Sequence, residues 1–355
     1  MSKLSNSSPD QQLNIFLPYI ADIPMRDQRE VMERPFFSLA KKKRIKPIEY
    51  TSPDGKLWVH VSANSDYGMA TIWDADILIY CASVIADMAR RGINDIPRTL
   101  KIMPYDLLRA IGRPTTGRAY ELLGQSLDRL VATTVKTNIR AENRREATFS
   151  WLDGWTQLVD EKTERSRGMT IEISNWFYEG VLMSGGVLAI DRSYFDITGG
   201  RERWLYKVAR KHAGGAGASG FAISMPTLFT KSGAEGEYRR FKFELLKIIS
   251  RNELPGFDLS LEVTSTSPEP LIRMTRRSAL AEQIPLQQSP PSYYSSNSIT
   301  AKTRATLEQD CPGWDLDVLQ SSFDAWISTS QDRTPVNYQA AFIGFVRQHH
   351  SRNKP

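Results

Sequence analysis

The stretch that decides the fold is residues 103–130, which read MPYDLLRAIGRPTTGRAYELLGQSLDRL. A short helix is predicted over 104–111, and it ends at 112–116 because glycine and proline interrupt helices. A second helix is predicted over 117–130, since its leucines recur at helical spacing and form one apolar stripe. Thr115 or Thr116 is suited to accept a free backbone N–H at its start. The stripe consists of Leu122, Leu123, Leu127 and Leu130.

Two β-rich segments follow, 133–140 and 147–152, and residues 141–146 between them predict a hairpin with a basic tip. Helix, tight turn, helix and hairpin are the order of a winged helix, whose second helix enters the major groove of DNA. Taken alone, the segment also fits a helical hairpin packed beside a sheet. Residues predicted to face outward from the second helix include Arg118, Gln125 and Arg129.

A second copy of the same order favours the winged-helix interpretation. The pattern predicts a basic helix over 200–212, a strand over 221–224, a short helix over 225–230, a turn, and a long helix over 235–251. Two β segments then follow. We therefore predict an α+β fold with two tandem winged-helix domains and a small C-terminal helical module. The predicted β segments are 257–263 and 271–275, and the predicted turn is 231–233.

The basic charge is concentrated in the two predicted winged helices. The chain has 355 residues and a net charge of +6. Residues 98–150 carry ten basic against five acidic side chains, and 201–251 carry eleven against four, whereas 304–350 carry three against six. Two basic blocks indicate a nucleic-acid partner. The basic run at 41–46, KKKRIK, indicates either a solvated segment or a further phosphate contact.

Composition sets the predicted organisation of the chain. We predict a flexible segment over 1–30, winged-helix domains over 31–185 and 186–277, a linker over 278–303 and a helical module over 304–355. The linker is rich in Pro, Ser and Gln, which disfavour a packed core. Without an apolar leader or a membrane-spanning run, and with two distant cysteines, the expected location is the cytoplasm, with no membrane partner.

No motif predicts catalysis. The four histidines form no His-x-His pair of the kind that a metal-dependent nickase requires, and the Gly-rich segment 214–220 lacks the Gly-Lys-Ser/Thr of a phosphate-binding loop. Asp74 and Asp76 are two residues apart, so on a helix they do not share a face. We expect no enzymatic activity, no cofactor and no metal.

Two stretches carry a family resemblance. Residues 22–28, DIPMRDQ, and 32–39, MERPFFSL, resemble the start of the plasmid replication initiator protein A family. Residues 237–246, EYRRFKFELL, followed by FDLSLE at 257–262, resemble the DNA-reading unit of iteron-binding initiators. The resemblance covers about residues 20–277. It implies binding of repeated origin sequences as a monomer, repression of its own promoter as a dimer, origin melting, and recruitment of the host replication initiator and helicase.

These observations predict a surface that binds double-stranded DNA over about twenty base pairs, because two reading helices in one chain would lie about one helical turn apart. A winged-helix transcriptional regulator without a role in initiation, and a protein that uses winged helices for protein contacts, remain the alternatives. The candidate DNA-binding residues are Arg113, Thr115, Thr116, Arg118, Gln125, Arg129, Arg144, Arg145, Lys231, Ser232, Arg239, Arg240, Phe243, Lys247, Arg251, Arg276 and Arg277.

Overall fold

The computed structural model describes residues 23–140, 146–159, 166–264, 267–277, 299–312, 314, 316–328 and 338–352. The chain forms two compact units, Met1–Ile284 and Pro285–Pro355. The larger unit combines helices with antiparallel sheets, so the prediction of an α+β fold is confirmed. The smaller unit is helical in the part that the structure describes.

The first half of the larger unit surrounds one buried helix, α1. Thirteen of its sixteen residues are buried, so neighbouring elements cover it on every side. In chain order the elements of this half are β1 (Arg26–Gln28), β2 (Ile48–Thr51), β3 (Trp58–Ser62), α1 (Ala75–Arg90), β4 (Thr99–Ile102), α2 (Pro104–Ala110), α3 (Gly117–Ala132), β5 (Thr134–Thr137), β6 (Ala147–Ser150), β7 (Leu152–Val159), β8 (Ser166–Ile173), α4 (Asn175–Leu182) and β9 (Val187–Ala189).

The second half closely follows the predicted pattern. Its long helix begins at Tyr238 rather than at residue 235, because Gly236 has a φ of 97°, which a helix does not accept. The elements of this half are α5 (Gly200–His212), β10 (Phe221–Ser224), α6 (Met225–Ser232), α7 (Tyr238–Arg251), β11 (Phe257–Thr264) and β12 (Ser267–Arg276).

One order of elements occurs twice in the larger unit: helix, strand, helix, helix, strand, strand. The first copy is α1, β4, α2, α3, β7 and β8, and the second is α5, β10, α6, α7, β11 and β12. The three strands of each copy form an antiparallel sheet with the last strand in the middle, in the orders β4-β8-β7 and β10-β12-β11. The two copies therefore share both element order and sheet order.

The first copy differs from the second by an inserted hairpin. β5 and β6 pair with each other as the sequence predicts, but they belong to a separate sheet of order β2-β3-β5-β6. The hairpin that completes the sheet of β4 is β7–β8 instead. The interpretation of 133–152 as the wing of this copy is therefore wrong, because β3 supplies a free edge to which β5 adds.

The predicted flexible segment 1–30 is wrong for residues 23–30. β1 pairs antiparallel with β9, with Arg26 opposite Ala189. Met25 and Asp27 are buried, and Asp27 forms an ion pair with Lys207 at 3.0 Å. Apolar burial and this ion pair hold the start of the described chain against the second half. Residues 1–22 lie outside the described part.

An aromatic cluster joins the Phe36–Phe37 pair of the N-terminal motif to the core. The Phe37 ring stacks on Trp151 with centroids 4.7 Å apart, and Phe36 meets the same indole edge-on at 5.5 Å. Trp176 stacks on Phe149 at 4.4 Å. Such pairs contribute beyond simple area burial. They belong to a single hydrophobic core, whose buried residues range from Ile23 to Met274 and come from both copies.

The smaller unit contains three described helices, α8 (Ala301–Asp310), α9 (Leu316–Ser328) and α10 (Tyr338–Arg352). They pack around Leu307, Phe323 and Phe342, which are almost fully buried. Most of the predicted linker, residues 278–298, falls outside the described part. Among the described helices of both units, none combines the length and apolarity needed to cross a membrane.

Candidate nucleic-acid interface

The long helix α7 exposes a basic stripe. Phe241, Leu245 and Ile249 are buried because they recur every four residues on one side. The helix carries five basic residues and one acidic residue, and most of the basic ones lie away from the buried side. The exposed stripe consists of Arg239, Arg240, Phe243, Lys247 and Arg251.

Weak contacts hold the side chains of this stripe. Arg240 is 79% exposed and pairs with Glu244 at 3.0 Å, and Arg251 pairs with Glu202 at 3.1 Å. The Lys247 Nζ lies 4.4 Å from the centre of the exposed Phe243 ring. Exposed ion pairs contribute only about 0–1 kcal/mol, so little free energy opposes their exchange for another anion. The basic groups of α7 are therefore available to a negatively charged ligand.

The equivalent helix of the first copy, α3, is electrostatically neutral. It carries two basic and two acidic residues, and Arg118 on its exposed side pairs with Glu121 at 2.7 Å. Gln125 is exposed as predicted, but Leu122 is 41% exposed rather than part of the buried stripe. The exposed face of α3 therefore offers one amide and apolar contacts where α7 offers several exposed cations.

Two candidate residues of the first copy are held by buried carboxylates. Arg129 donates to both Asp74 oxygens at 2.7 and 2.8 Å, and this hydrogen-bonded pair raises the pKa of the guanidinium. Arg113 donates to the carbonyl of Trp73 at 2.5 Å and to Asp76 at 3.2 Å. Their donors already satisfy charges that have lost their water, so both side chains have a structural role, and their contact with DNA stays a prediction.

Lys231 and Ser232 of the second copy are also structural. Lys231 donates to Glu33 at 3.1 Å, and both side chains are nearly buried. Ser232 is fully buried and donates to the carbonyl of Phe229 at 2.7 Å. A buried hydroxyl whose hydrogen bond is satisfied inside the fold cannot contact DNA. Ser232 is thus inaccessible in this structure, and a DNA contact from Lys231 stays a prediction.

Glu33 lies at the centre of a cationic cluster. Lys211 donates to its Oε1, while His212 and Lys231 lie 2.9 and 3.1 Å from its Oε2. Burial raises the pKa of this carboxyl, but the close contacts of His212 and Lys211 and the nearby charges outweigh burial and hold the pKa well below its ordinary value. Glu33 is therefore a permanent anion in the folded protein.

The turn before α3 is exposed. Thr115 and Thr116 are both accessible, and Thr116 occupies the position before the first helical residue. Its hydroxyl accepts no backbone N–H of the helix, so the predicted cap is absent and the helix starts with free donors. Those N–H groups and the two hydroxyls remain available to a phosphate.

The basic run at 41–46 divides into two parts. Lys41, Lys42 and Lys43 are exposed, and the Lys41 Nζ lies 5.2 Å from the centre of the Trp73 ring. Lys41, Lys43 and Gln125 are among the residues that line a groove of about 460 Å³ beside α3. Arg44 is buried instead, and it donates to the carbonyls of Lys46 and Gly233 at 2.9 and 2.6 Å.

The predicted wing residues have mixed outcomes. Arg144 and Arg145 lie outside the described residues, as do residues 160–165 between β7 and β8. Arg276 is exposed at the end of β12. Arg277 donates to the carbonyls of Phe257 and Asn252 at 2.9 and 2.5 Å, and it thereby fixes the end of α7 to β11.

Buried charges that were not predicted from the sequence organise both copies. Asp76 binds Arg203, and Asp27 binds Lys207, with all four side chains at most 5% exposed. A signal was present: Arg203 and Lys207 are four residues apart on a helix whose neighbouring apolar residues Trp204 and Val208 are buried. A cation on a buried helix face requires a carboxylate from elsewhere in the chain. Within the described residues, no three His, Cys, Asp or Glu side chains group as a metal site.

The chain is similar to a known protein family, to a protein of known sequence and to two solved structures. The profile of the family described as Replication initiator protein A matches residues 26–259. The chain is 32% identical over 238 residues to a protein of Wigglesworthia glossinidia brevipalpis named "Putative replication protein", and the match covers 66% of this chain and 84% of that protein. Two crystal structures of domains 2 and 3 of RctB are similar. The selenomethionine form has a TM-score of 0.49 and 12% identity, covering 70% of this chain and 98% of that one, and the other has 0.44 and 13%, covering 69% and 95%.

Proposed function

The chain belongs to the replication initiator protein A family, and we propose that it initiates plasmid replication by binding repeated double-stranded sequences at the origin through two winged-helix domains. The observation that carries this proposal is the duplicated order of elements, with a basic, exposed helix in the position of the second copy's reading helix. A winged helix places that helix in the major groove.

The chemistry of α7 suits the reading of base edges. Arg239 and Arg240 present guanidinium forks, which match the paired acceptors of guanine in the major groove. Phe243 offers an apolar surface to a thymine methyl, and Lys247 beside it offers a charge to a phosphate. These four residues share one exposed side, so one helix contributes both base contacts and backbone contacts.

We assign a different role to the first copy. Because α3 carries no net charge, its contacts to bases come from Gln125 and its contacts to phosphates from the turn at Thr115 and Thr116. Lys41, Lys42 and Lys43 add charge beside the same helix. Phosphate contacts position a protein on the duplex without reading sequence. The second copy then contributes most of the specificity.

The wider role goes beyond DNA contact. We propose that the bound protein helps to open the origin, recruits the host initiator and helicase, and represses its own promoter as a homodimer. In this scheme the chain carries out no chemical step itself, since opening a duplex requires only binding free energy that favours the deformed DNA. The smaller helical unit is the segment that we propose contacts host proteins.

The test begins with selection of bound sequences from a random double-stranded library. Affinity for the selected site and for random DNA is then measured against salt concentration. We expect a motif of about twenty base pairs and a steep salt dependence. Arg240→Ala should cost about 1–3 kcal/mol on the selected site and relax specificity there. The matched control is Arg90→Ala, an exposed arginine that pairs with Asp87 at the end of α1.

Three outcomes decide the proposal. Enrichment of a motif that also occurs as repeats at the plasmid origin supports an initiator. A motif found only upstream of genes, with no effect on plasmid maintenance, favours a transcriptional regulator. If no motif is enriched, or if Arg240→Ala weakens specific and random DNA equally, the assignment of α7 as the reading helix is wrong.

A further inference from the structure

The boundary between the two copies is crossed by buried ion pairs. The Arg203 Nη1 on α5 lies 2.7 and 2.8 Å from the two oxygens of Asp76 on α1. The remaining donors of Arg203 reach the carbonyls of Ile197 and Phe195 at 2.6 and 2.8 Å. Each nitrogen of the guanidinium thus donates a hydrogen bond, and these directional bonds fix the orientation of the group.

The same carboxylates hold the helix-turn-helix of the first copy. Arg113, in the turn between α2 and α3, shares Asp76 with Arg203. Asp74, two residues earlier, binds Arg129 of α3 with both of its oxygens. The N-terminal end of α1 therefore binds α3 and α5 at once.

Residues 33–44, which we call the N-terminal segment, contact the helix-turn-helix of the second copy. Arg44 donates to the carbonyl of Gly233 in the turn between α6 and α7, 189 residues away. Gly233 has a φ of 58°, and a Cβ there would lie 2.6 Å from the Cβ of Pro35, so the turn and the segment are in close contact. Glu33 binds Lys211 of α5 and Lys231 of α6. The segment itself packs on Trp151 through Phe36 and Phe37.

We infer that this buried network, Glu33, Arg44, Asp74 and Asp76 with their partners, fixes the positions of α3 and α7 relative to each other, so that the protein accepts only one spacing between two half-sites. An apolar interface can slide with little change in contact area, whereas displaced buried ion pairs leave charges without partners. Glu33 and Arg44 are positioning residues for DNA recognition, and this inference rests on the proposed function.

The experiment uses the full chain and the selected site, with one or two base pairs inserted between its halves. Two linked contacts gain about 10²-fold or more in affinity over one, and this gain is lost when both cannot be made together. We expect wild-type protein to lose about 10²-fold for a two-base-pair insertion. Arg44→Gln and Glu33→Gln should bind the native spacing less tightly and show a several-fold smaller penalty for insertion. Arg90→Gln serves as the control.

The outcomes separate the two hypotheses. If wild-type protein selects no site, the proposed function fails and the spacing question does not arise. If it binds a site but tolerates the insertions, DNA binding stands and the rigid network is refuted. An unchanged spacing penalty in both folded variants also refutes it. Thermal unfolding identifies a variant that does not fold, and tolerance of the insertions by wild-type protein refutes the rigid network without any variant.

Discussion

The Asp76–Arg203 pair allows a quantitative prediction. In Asp76→Asn the side chain keeps its shape but loses its charge, which leaves the guanidiniums of Arg203 and Arg113 without a counter-ion. Asp76 is 1% and Arg203 5% exposed, so solvent screens neither of them. Removal of one partner of a buried pair costs about 3–5 kcal/mol of unfolding free energy. For a unit of this size, that corresponds to a melting temperature lower by about 6–20 °C.

The assay is urea unfolding followed by tryptophan fluorescence, which Trp151 and Trp176 in the core report. Asp87→Asn is the matched control, since it is the same substitution on the same helix. Asp87 pairs with Arg90 and Arg91, which are both half-exposed. Its loss should cost no more than about 1 kcal/mol.

Equal destabilisation by the two substitutions would refute the assignment of Asp76 as a buried structural anion. A double-mutant cycle with Arg203→Gln adds a second check. Residues in one network are not additive, so the double variant should be less destabilised than the sum of the single ones. Additive effects would mean that the two side chains act independently.

Two further predictions concern pH and salt. Above pH 4.5, the ordinary pKa of a glutamate, wild type should be more stable than Glu33→Gln; as pH falls further, the unfolded chain takes up the proton first and the difference should shrink. The comparison needs unfolding free energies of both proteins between pH 7 and 3, and a constant difference would contradict it. In DNA titrations, Lys247→Ala should reduce the salt slope by about 1. Lys231→Ala should leave that slope unchanged, because Glu33 already neutralises Lys231, and equal slope changes would contradict the structural role of Lys231.

Local patterns predicted α7 well. Its apolar residues recur at helical spacing, and its cations fall between them, so sequence alone gives both the buried side and the exposed stripe. The helix, turn, helix order of both copies was also predicted, because helix and turn signals arise within a few residues of one another. Both features are determined by residues that are close together in the sequence.

The ion pairs of several candidate residues have the opposite character. Arg129 occupies an outward position by helical spacing, yet its partner Asp74 lies 55 residues earlier. Lys231 meets Glu33 across 198 residues. The charge of a side chain is visible in the sequence, but whether a buried carboxylate already neutralises it is a property of tertiary structure. The same reason explains why the sequence did not identify Asp74 and Asp76 as buried partners of arginines.

The hairpin β5–β6 shows a similar limit at the level of sheets. β-forming residues and a polar turn predicted the pairing of these two strands, which the structure contains. The sheet that a hairpin joins depends on which strand edges are free in the folded chain. Here the edge belongs to β3, more than seventy residues upstream, and its match with β5 places Val61 opposite Val135.

The pairing of Asp27 with Lys207 has a consequence for how the chain is made. Asp27 leaves the ribosome about 180 residues before Lys207, its counter-ion. The strand β1 is likewise synthesised long before its partner β9. At about 5–20 residues per second, this delay lasts roughly 10 to 40 seconds. During that time β1 has no strand partner, and the Asp27 carboxylate has no counter-ion with which it can be buried. We therefore expect a nascent chain interrupted before residue 207 to be more susceptible to proteases than the full chain.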